Sequence, residues 1–141
     1  MTAILIELEP ETGAVKYVNA GHGDCLLLRR ASGEAERLEA TGLPLGMMPP
    51  EMLEMLGKNY EERSFQLHGG DLLALYSDGV TEAYDESENE WGDVRLLECL
   101  RPFAAAPVKE IVTEIFEGID RFAGDAPPHD DITLLVLRRE I

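Results

Sequence analysis

Two apolar runs, each bounded by carboxylates, constrain this chain more than any other feature. Leu72-Leu73-Ala74-Leu75 leads through Tyr76-Ser77 into Asp78-Gly79, and Asp130-Asp131 leads directly into Ile132 to Leu137. Neither run has helical periodicity, so each reads as a strand, and the second has the continuous apolar character of a strand buried on both faces. A residue at a strand end is held by a rigid sheet while its side chain still reaches solvent. If the two strands are antiparallel neighbours, Asp78 and Asp130 fall at the same sheet edge.

The rest of the chain supplies the partners for these strands. Ile4 to Leu8 and Ala14 to Val18 flank the turn Pro10-Glu11-Thr12-Gly13 and predict a hairpin. A further strand runs from Cys25 to Arg29, and a turn at Ser32-Gly33 leads into Glu36 to Glu39. Thr41 to Gly46 reads as an ordered loop, Pro50 to Lys58 as a short helix or flap, and Glu61 to Leu67 as a weakly alternating segment. His68 to Asp71 is a turn before Leu72. Asp93 is the expected N-cap of a helix from Val94 to Leu100, which Pro102 ends. Val108, Ile111, Val112, Ile115, Phe116, Ile119 and Phe122 recur at three- and four-residue steps, predicting a helix with one apolar stripe that Gly124 closes. Antiparallel strands, two helices and a last strand make an α+β pattern, and the 141 residues suit one domain, 1–141.

Charge narrows the function. With 28 acids against 12 bases the net charge is −16, a surface that repels nucleic acid and anionic membrane and excludes both as partners. It would also repel a phosphorylated substrate, and no Lys/Arg cluster compensates. Bound divalent cations are the natural source of the missing positive charge. No apolar run has membrane-spanning length and no leader suggests secretion. Cys25 and Cys99 have no metal-type spacing and read as buried free thiols in a reducing, cytoplasmic setting.

Several sites fail on inspection. Asp85 to Leu96 starts like a calcium loop, but Glu90 stands where glycine is needed and Leu96 where the closing glutamate belongs. Tyr76 occupies the position where an aspartyl-nucleophile phosphatase needs a second aspartate. No Gly-x-Ser-x-Gly or Cys/His pairing offers a covalent nucleophile. His68 reads as an exposed turn residue, and His129 either tunes the Asp130-Asp131 pair or simply occupies a loop. His22, within Asn19-Ala20-Gly21-His22, follows a strand and is a weak signal alone. Asp78 and Asp130 offer the oxygen donors that Mg²⁺ and Mn²⁺ prefer, and Gly79 lets the backbone pass close to an ion. An Asp-Gly turn without metal is the competing reading, and from these residues alone both stay open.

Four motifs in order, YVNAGHGDCLLL, GLPLG, GDLLALYSDGVTEA and HDDITLLVLR, resemble the SpoIIE/RsbU-type serine phosphatases, a branch of the PP2C-like (PPM) metal-dependent phosphatases. The resemblance runs over essentially the whole chain. It implies an antiparallel β-sandwich flanked by helices, with a dinuclear Mg²⁺ or Mn²⁺ centre at one sheet edge and hydrolysis of phosphoserine by metal-activated water. By position, Asp78 and Asp130 are then metal ligands, Gly79 and Asp131 support them, and Asn19 and His22 orient water or substrate. His22 stands where many relatives carry an acid. The implied substrate is a phosphoserine protein of the anti-sigma-factor-antagonist type, in partner switching. The family's first metal motif, a Gly-Asp followed by aromatics and another Asp, belongs upstream of MTAILIELEP. The chain is therefore expected to be the C-terminal part of such a domain, lacking its N-terminal strands and helices, and inactive alone. A non-catalytic binding module is the second reading, and a homodimer is one way to cover the sheet edges left open.

Overall fold

The hairpin around Pro10 to Gly13 forms as its turn residues predict. β1 (Ala3–Leu8) pairs antiparallel with β2 (Ala14–Ala20), with Ile4 opposite Asn19 and Leu8 opposite Val15. In this computed structural model, which describes residues 1–23, 25–102 and 105–140, β5 (Arg63–Gln66) joins the far side of β2 to complete a three-stranded sheet. A second, four-stranded sheet has the order β4 (Ala35–Leu38), β3 (Cys25–Leu28), β6 (Leu72–Tyr76), β7 (Leu134–Arg138), every neighbour antiparallel.

Alternation along β3 and β6 builds two cores at once. Cys25, Leu27 and Leu73 face the first sheet and meet Val15, Tyr17 and Leu67. Leu26, Leu28, Leu72, Ala74 and Tyr76 face the other way, onto α3 (Gly92–Leu100) and α4 (Val108–Ala123). A strand buried on both faces has no place for a polar side chain, which is why Cys25 to Leu28 and Leu72 to Leu75 are unbroken apolar runs. Each fully buried leucine contributes roughly 1.5–3 kcal/mol of transfer free energy. The architecture is a β-sandwich with helices on one face, the α+β class expected.

Two short helices complete the element order. α1 (Pro50–Met55) realises the flap, and α2 (Asp78–Thr81) follows β6 after a single linking residue, Ser77. In α4 the buried part of the stripe is Ile111, Ile115 and Ile119, while Phe116 lies on its flank at 36% exposure. Gly124 ends that helix with φ 59°, its N–H bonded to the Asp120 carbonyl at 3.0 Å.

Three expectations need correction. β7 is an edge strand rather than one buried on both faces: Leu134 and Val136 pack toward the helices and Leu137 toward the inner core, but Leu135 is 51% exposed. Asp93 is not the N-cap of α3. Trp91 occupies that position, and the Asp93 carboxylate in the first turn accepts hydrogen bonds from Arg37 and Tyr76. Cys25 is a buried free thiol as expected, whereas Cys99 is half-buried beside Gly118.

Candidate active site at the ends of β6 and β7

β6 and β7 are antiparallel neighbours, with Tyr76 opposite Leu134, so their acid-bearing ends do meet at one edge of the sheet. The ladder continues past the strands through Ser77. Its N–H donates to the Thr133 carbonyl at 2.9 Å, its hydroxyl donates to the Asp131 carbonyl at 3.1 Å, and the Ser77 hydroxyl oxygen accepts from the Thr133 N–H at 3.0 Å. The next turn is closer still: a Cβ on Gly79 would lie 2.5 Å from the Asp131 carbonyl oxygen. Only glycine allows the main chains to approach this closely.

Asp78 and Asp130 are both exposed, and each is oriented in the same way. One oxygen of Asp78 accepts the Gly79 N–H at 3.0 Å, and one oxygen of Asp130 accepts the Asp131 N–H at 2.7 Å. The two residues nevertheless line different clefts. Asp78 faces a volume of about 190 Å³ with Gly23, Arg37, Tyr76, Thr81, Glu82 and Asp93. Asp130 lines a neighbouring one of about 310 Å³ that includes Gly79, Ala83, Ile119 and Ile132. Asp131 is exposed, and its contribution is the carbonyl that Ser77 and Gly79 abut.

The loop after β2 approaches from the other side. Asn19 is fully buried and spends its side chain on that loop: Nδ2 donates to the Leu38 carbonyl at 3.2 Å and the Gly23 carbonyl at 3.5 Å, and Oδ1 accepts the His22 N–H at 2.8 Å. Its main chain meets Thr41, whose hydroxyl accepts the Asn19 N–H at 3.0 Å. His22 is thereby placed with Nε2 3.0 Å from the Tyr76 carbonyl and Nδ1 3.4 Å from the Thr2 hydroxyl. A carbonyl only accepts, so Nε2 carries a proton, and Nδ1 shares its hydrogen bond with the Thr2 hydroxyl. Asn19 has no surface with which to touch a ligand; it sets the position of His22.

A second polar group was not visible in the sequence. The Tyr76 hydroxyl donates to one oxygen of Asp93 at 3.1 Å, and Arg37 donates to the other at 2.6 Å. Burial and then the Asp93 charge push the Tyr76 phenol well above its ordinary pKa, so it remains a donor. These residues come from β4, β6 and α3, and no local spacing connects them.

His129 packs edge-on against Tyr84 at 4.9 Å between ring centres. Both line a large open cleft of about 940 Å³ with Asp85, Glu86, Glu88, Glu90 and Asp125. Asp85 closes its own loop by accepting from Ser87 N–H, Asn89 N–H and Asn89 Nδ2, which makes it a turn-forming acid. Exposed carboxylate oxygens are the donors that hard divalent cations take. Among the described residues, however, no three His, Cys, Asp or Glu side chains are grouped closely enough to hold an ion. Asp78 and Asp130 thus have the right donor chemistry but offer fewer than three protein ligands.

Comparison with known proteins identifies the family and the fold. The family model for Stage II sporulation protein E (SpoIIE) matches residues 1–140. Phosphoserine phosphatase RsbU of Bacillus subtilis is 31% identical over 128 residues, covering 89% of this chain and 35% of that protein. The structure of the RsbU and RsbW domains of Rv1364c from Mycobacterium tuberculosis superposes with a TM-score of 0.76 at 27% identity, covering 99% of this chain and 36% of that one. The manganese-presoaked phosphatase domain of SpoIIE from Bacillus subtilis gives a TM-score of 0.70 at 22% identity, covering 99% and 56%. The chain spans between about a fifth and a little over half of the proteins it matches.

Proposed function

This chain belongs to the SpoIIE family, the SpoIIE/RsbU branch of the PP2C-like phosphatase domains, and from that premise we propose that it carries part of the catalytic site of a metal-dependent protein serine/threonine phosphatase. The observation that carries the reading is the fastening of Asp78 and Asp130 to one sheet edge by Ser77 and Gly79. The substrate is a phosphoserine protein of the anti-sigma-factor-antagonist type. The names RsbU and RsbW among the relatives support that choice.

The reaction consumes one water: its oxygen bonds to phosphorus, the P–O(serine) bond breaks, and a proton from the water ends on the serine oxygen. A Mg²⁺ or Mn²⁺ ion, which Asp78 and Asp130 would hold, supplies positive charge for the phosphoryl oxygens and a more acidic water. The remaining work belongs to the chain. Asp78 and Asp130 enter with one oxygen each already committed to backbone, which fixes their direction. His22 secures the end of β6 with its Nδ1 against the Thr2 hydroxyl, and Asn19 secures His22. The sheet keeps these groups in place without reorganisation during the reaction.

The second reading, a non-catalytic module that binds a phosphoprotein partner, is favoured by one observation: the described residues hold fewer than three grouped ligands. Hydrolysis of p-nitrophenyl phosphate and of a phosphoserine protein, with and without Mn²⁺, separates the two. Mn²⁺-dependent turnover is expected within the full reading frame and not from the 141 residues alone. No turnover in either form would overturn the catalytic reading in favour of the binding module.

A further inference from the structure

Two adjoining volumes open on the far side of Asp130 from Asp78. The one that Asp130 itself lines, about 310 Å³, has a mainly apolar wall made by Ala83, Ile119, Ala123, Pro127 and Ile132. Ala83 and Ile119 are buried there and belong to the core beneath α4. The larger volume, about 940 Å³, is rimmed by Asp85, Glu86, Glu88, Glu90 and Asp125. Tyr84, Pro127, Pro128 and His129 line both, so the two make one groove that starts at Asp130, turns apolar and ends among carboxylates. Each volume is in the range of about 300–1,000 Å³ that ligand clefts occupy.

The groove is built before anything enters it. Asp85 accepts the N–H groups of Ser87 and Asn89 at 2.8 and 2.9 Å, and its own carbonyl accepts the Glu88 N–H at 3.0 Å, which sets the acidic wall. Opposite it, Pro127 and Pro128 have fixed φ, and His129 stands edge-on to Tyr84. A preformed cleft loses little conformational freedom on binding. Among the described residues, no Lys or Arg lines either volume, and Glu86, Glu88 and Asp125 enter no salt bridge. Nor are three of these acids close enough together to share one metal ion. A matching occupant therefore spreads its positive charge over several side chains and offers an apolar group to the hollow beside Asp130. A polypeptide segment meets both conditions.

We infer that this groove docks the polypeptide segment next to the phosphoserine, with an apolar side chain seated in the hollow beside Asp130 and basic side chains beyond it among Glu86, Glu88 and Asp125. This rests on the phosphatase reading above and names the sequence class of its substrate. A phosphoryl dianion is repelled by a chain of net charge −16, and cations carried on the same segment offset that repulsion. The apolar seat supplies affinity, while the exposed rim charges supply selectivity and speed of encounter.

The test is fluorescence anisotropy with a labelled serine peptide that carries a leucine beside the serine and lysines beyond it, in phosphorylated and plain forms. Saturable binding to the unmodified chain is expected for both forms. Replacing the peptide's leucine by serine should weaken it about tenfold or more. Neutralising the rim with Glu86→Gln, Glu88→Gln and Asp125→Asn together should weaken it about fivefold or more, and more at low salt. The same change in net charge at Glu7, Glu9 and Glu34, on the β1–β2 and β3–β4 hairpins, should leave it unaltered. Ala123→Leu fills the hollow and should abolish the preference for leucine over serine. Absence of saturable binding, equal binding of the leucine and serine peptides, or equal loss in the distant triple variant would overturn the inference and mark the cleft as a diffuse cation surface. In the full reading frame, hydrolysis of all phosphopeptides at one kcat/KM would also overturn it while the phosphatase reading stands. Groove-dependent binding of both peptide forms without any hydrolysis would sink the phosphatase reading and leave the docking site standing.

Discussion

His22 donates from Nε2 to the main-chain carbonyl of Tyr76 at 3.0 Å, which fastens the loop after β2 to the strand that presents Asp78 two residues later. The loop depends on one buried amide, because Asn19 bonds Leu38, Gly23 and His22 together. Asn19→Ala leaves those partners unsatisfied, and losses of this kind are about 1–3 kcal/mol each when buried. Urea denaturation should show a drop in that range or above it. A change below about 0.5 kcal/mol, the scale of an ordinary surface substitution, would contradict the role given to Asn19.

Gly79→Ala should be as costly for a different reason. The new methyl would meet the Asp131 carbonyl at 2.5 Å, and backbone on both sides has to move. Overpacking of this sort costs roughly 1–3 kcal/mol. Here the displacement also separates Asp78 from Asp130, so in the full reading frame the Mn²⁺ concentration for half-maximal activity should rise. A variant with unaltered stability and metal dependence would contradict the close approach.

Asp78→Ala and Asp130→Ala are each expected to abolish Mn²⁺-dependent hydrolysis in the full reading frame while the far-ultraviolet circular dichroism stays unchanged. Both side chains are exposed and support no buried contact, so loss of fold is not the anticipated outcome. Near-normal turnover by either variant would remove it from the ligand set.

Acid sensitivity should come largely from the opposite end of the sheet. Asp71 is 2% exposed. Burial alone would raise its pKa, but the N–H groups of Arg30 and His68 and the Arg29 guanidinium overcome this and hold it below the ordinary value. A depressed carboxylate adds stability that is complete above its unfolded pKa of about 3.9 and is lost as pH falls from there through the folded value. Asp71→Asn should lower the urea midpoint at pH 7 and flatten its fall between about pH 5 and pH 2. An unchanged acid limb would show that other carboxylates govern it.

Leu5, 73% exposed, is the most exposed apolar side chain of β1, at that edge of the three-stranded sheet. Its neighbours Ile4 and Ile6 pack inward against the sandwich core. Self-association of the isolated chain through this edge is expected, with light scattering reporting a concentration-dependent dimer that Leu5→Lys disperses. A monomer at every concentration would contradict it.

Elements set by local pattern were legible in the sequence. The hairpin followed from Pro10 to Gly13, α4 from its apolar spacing, and β3 and β6 from unbroken apolar runs. The adjacency of β6 and β7 was a condition rather than a reading, because pairing between residues some sixty positions apart leaves no local trace. β7 was misjudged for a related reason. A continuous apolar run does not distinguish a central strand from an edge strand, so the exposure of Leu135 could not be anticipated. Asp93 misled because an acid at a helix start usually caps it, whereas here Arg37 and Tyr76 claim the carboxylate. Asp78 and Asp130 were candidates from their place at strand ends, and Asn19 and His22 from the family resemblance. The burial of Asn19 and the separate clefts of the two aspartates emerge only from the packing.

The close passage of Gly79 over Asp131 has one more implication. The interval between the two acidic ends is set by main chain against main chain, so it has none of the give that a side-chain contact would allow. Apart from Ser77, whose hydroxyl bridges the same two segments, side chains around it have freedom to vary without entering that contact. At position 79 that freedom stops, and a single added carbon would alter the gauge of the whole site.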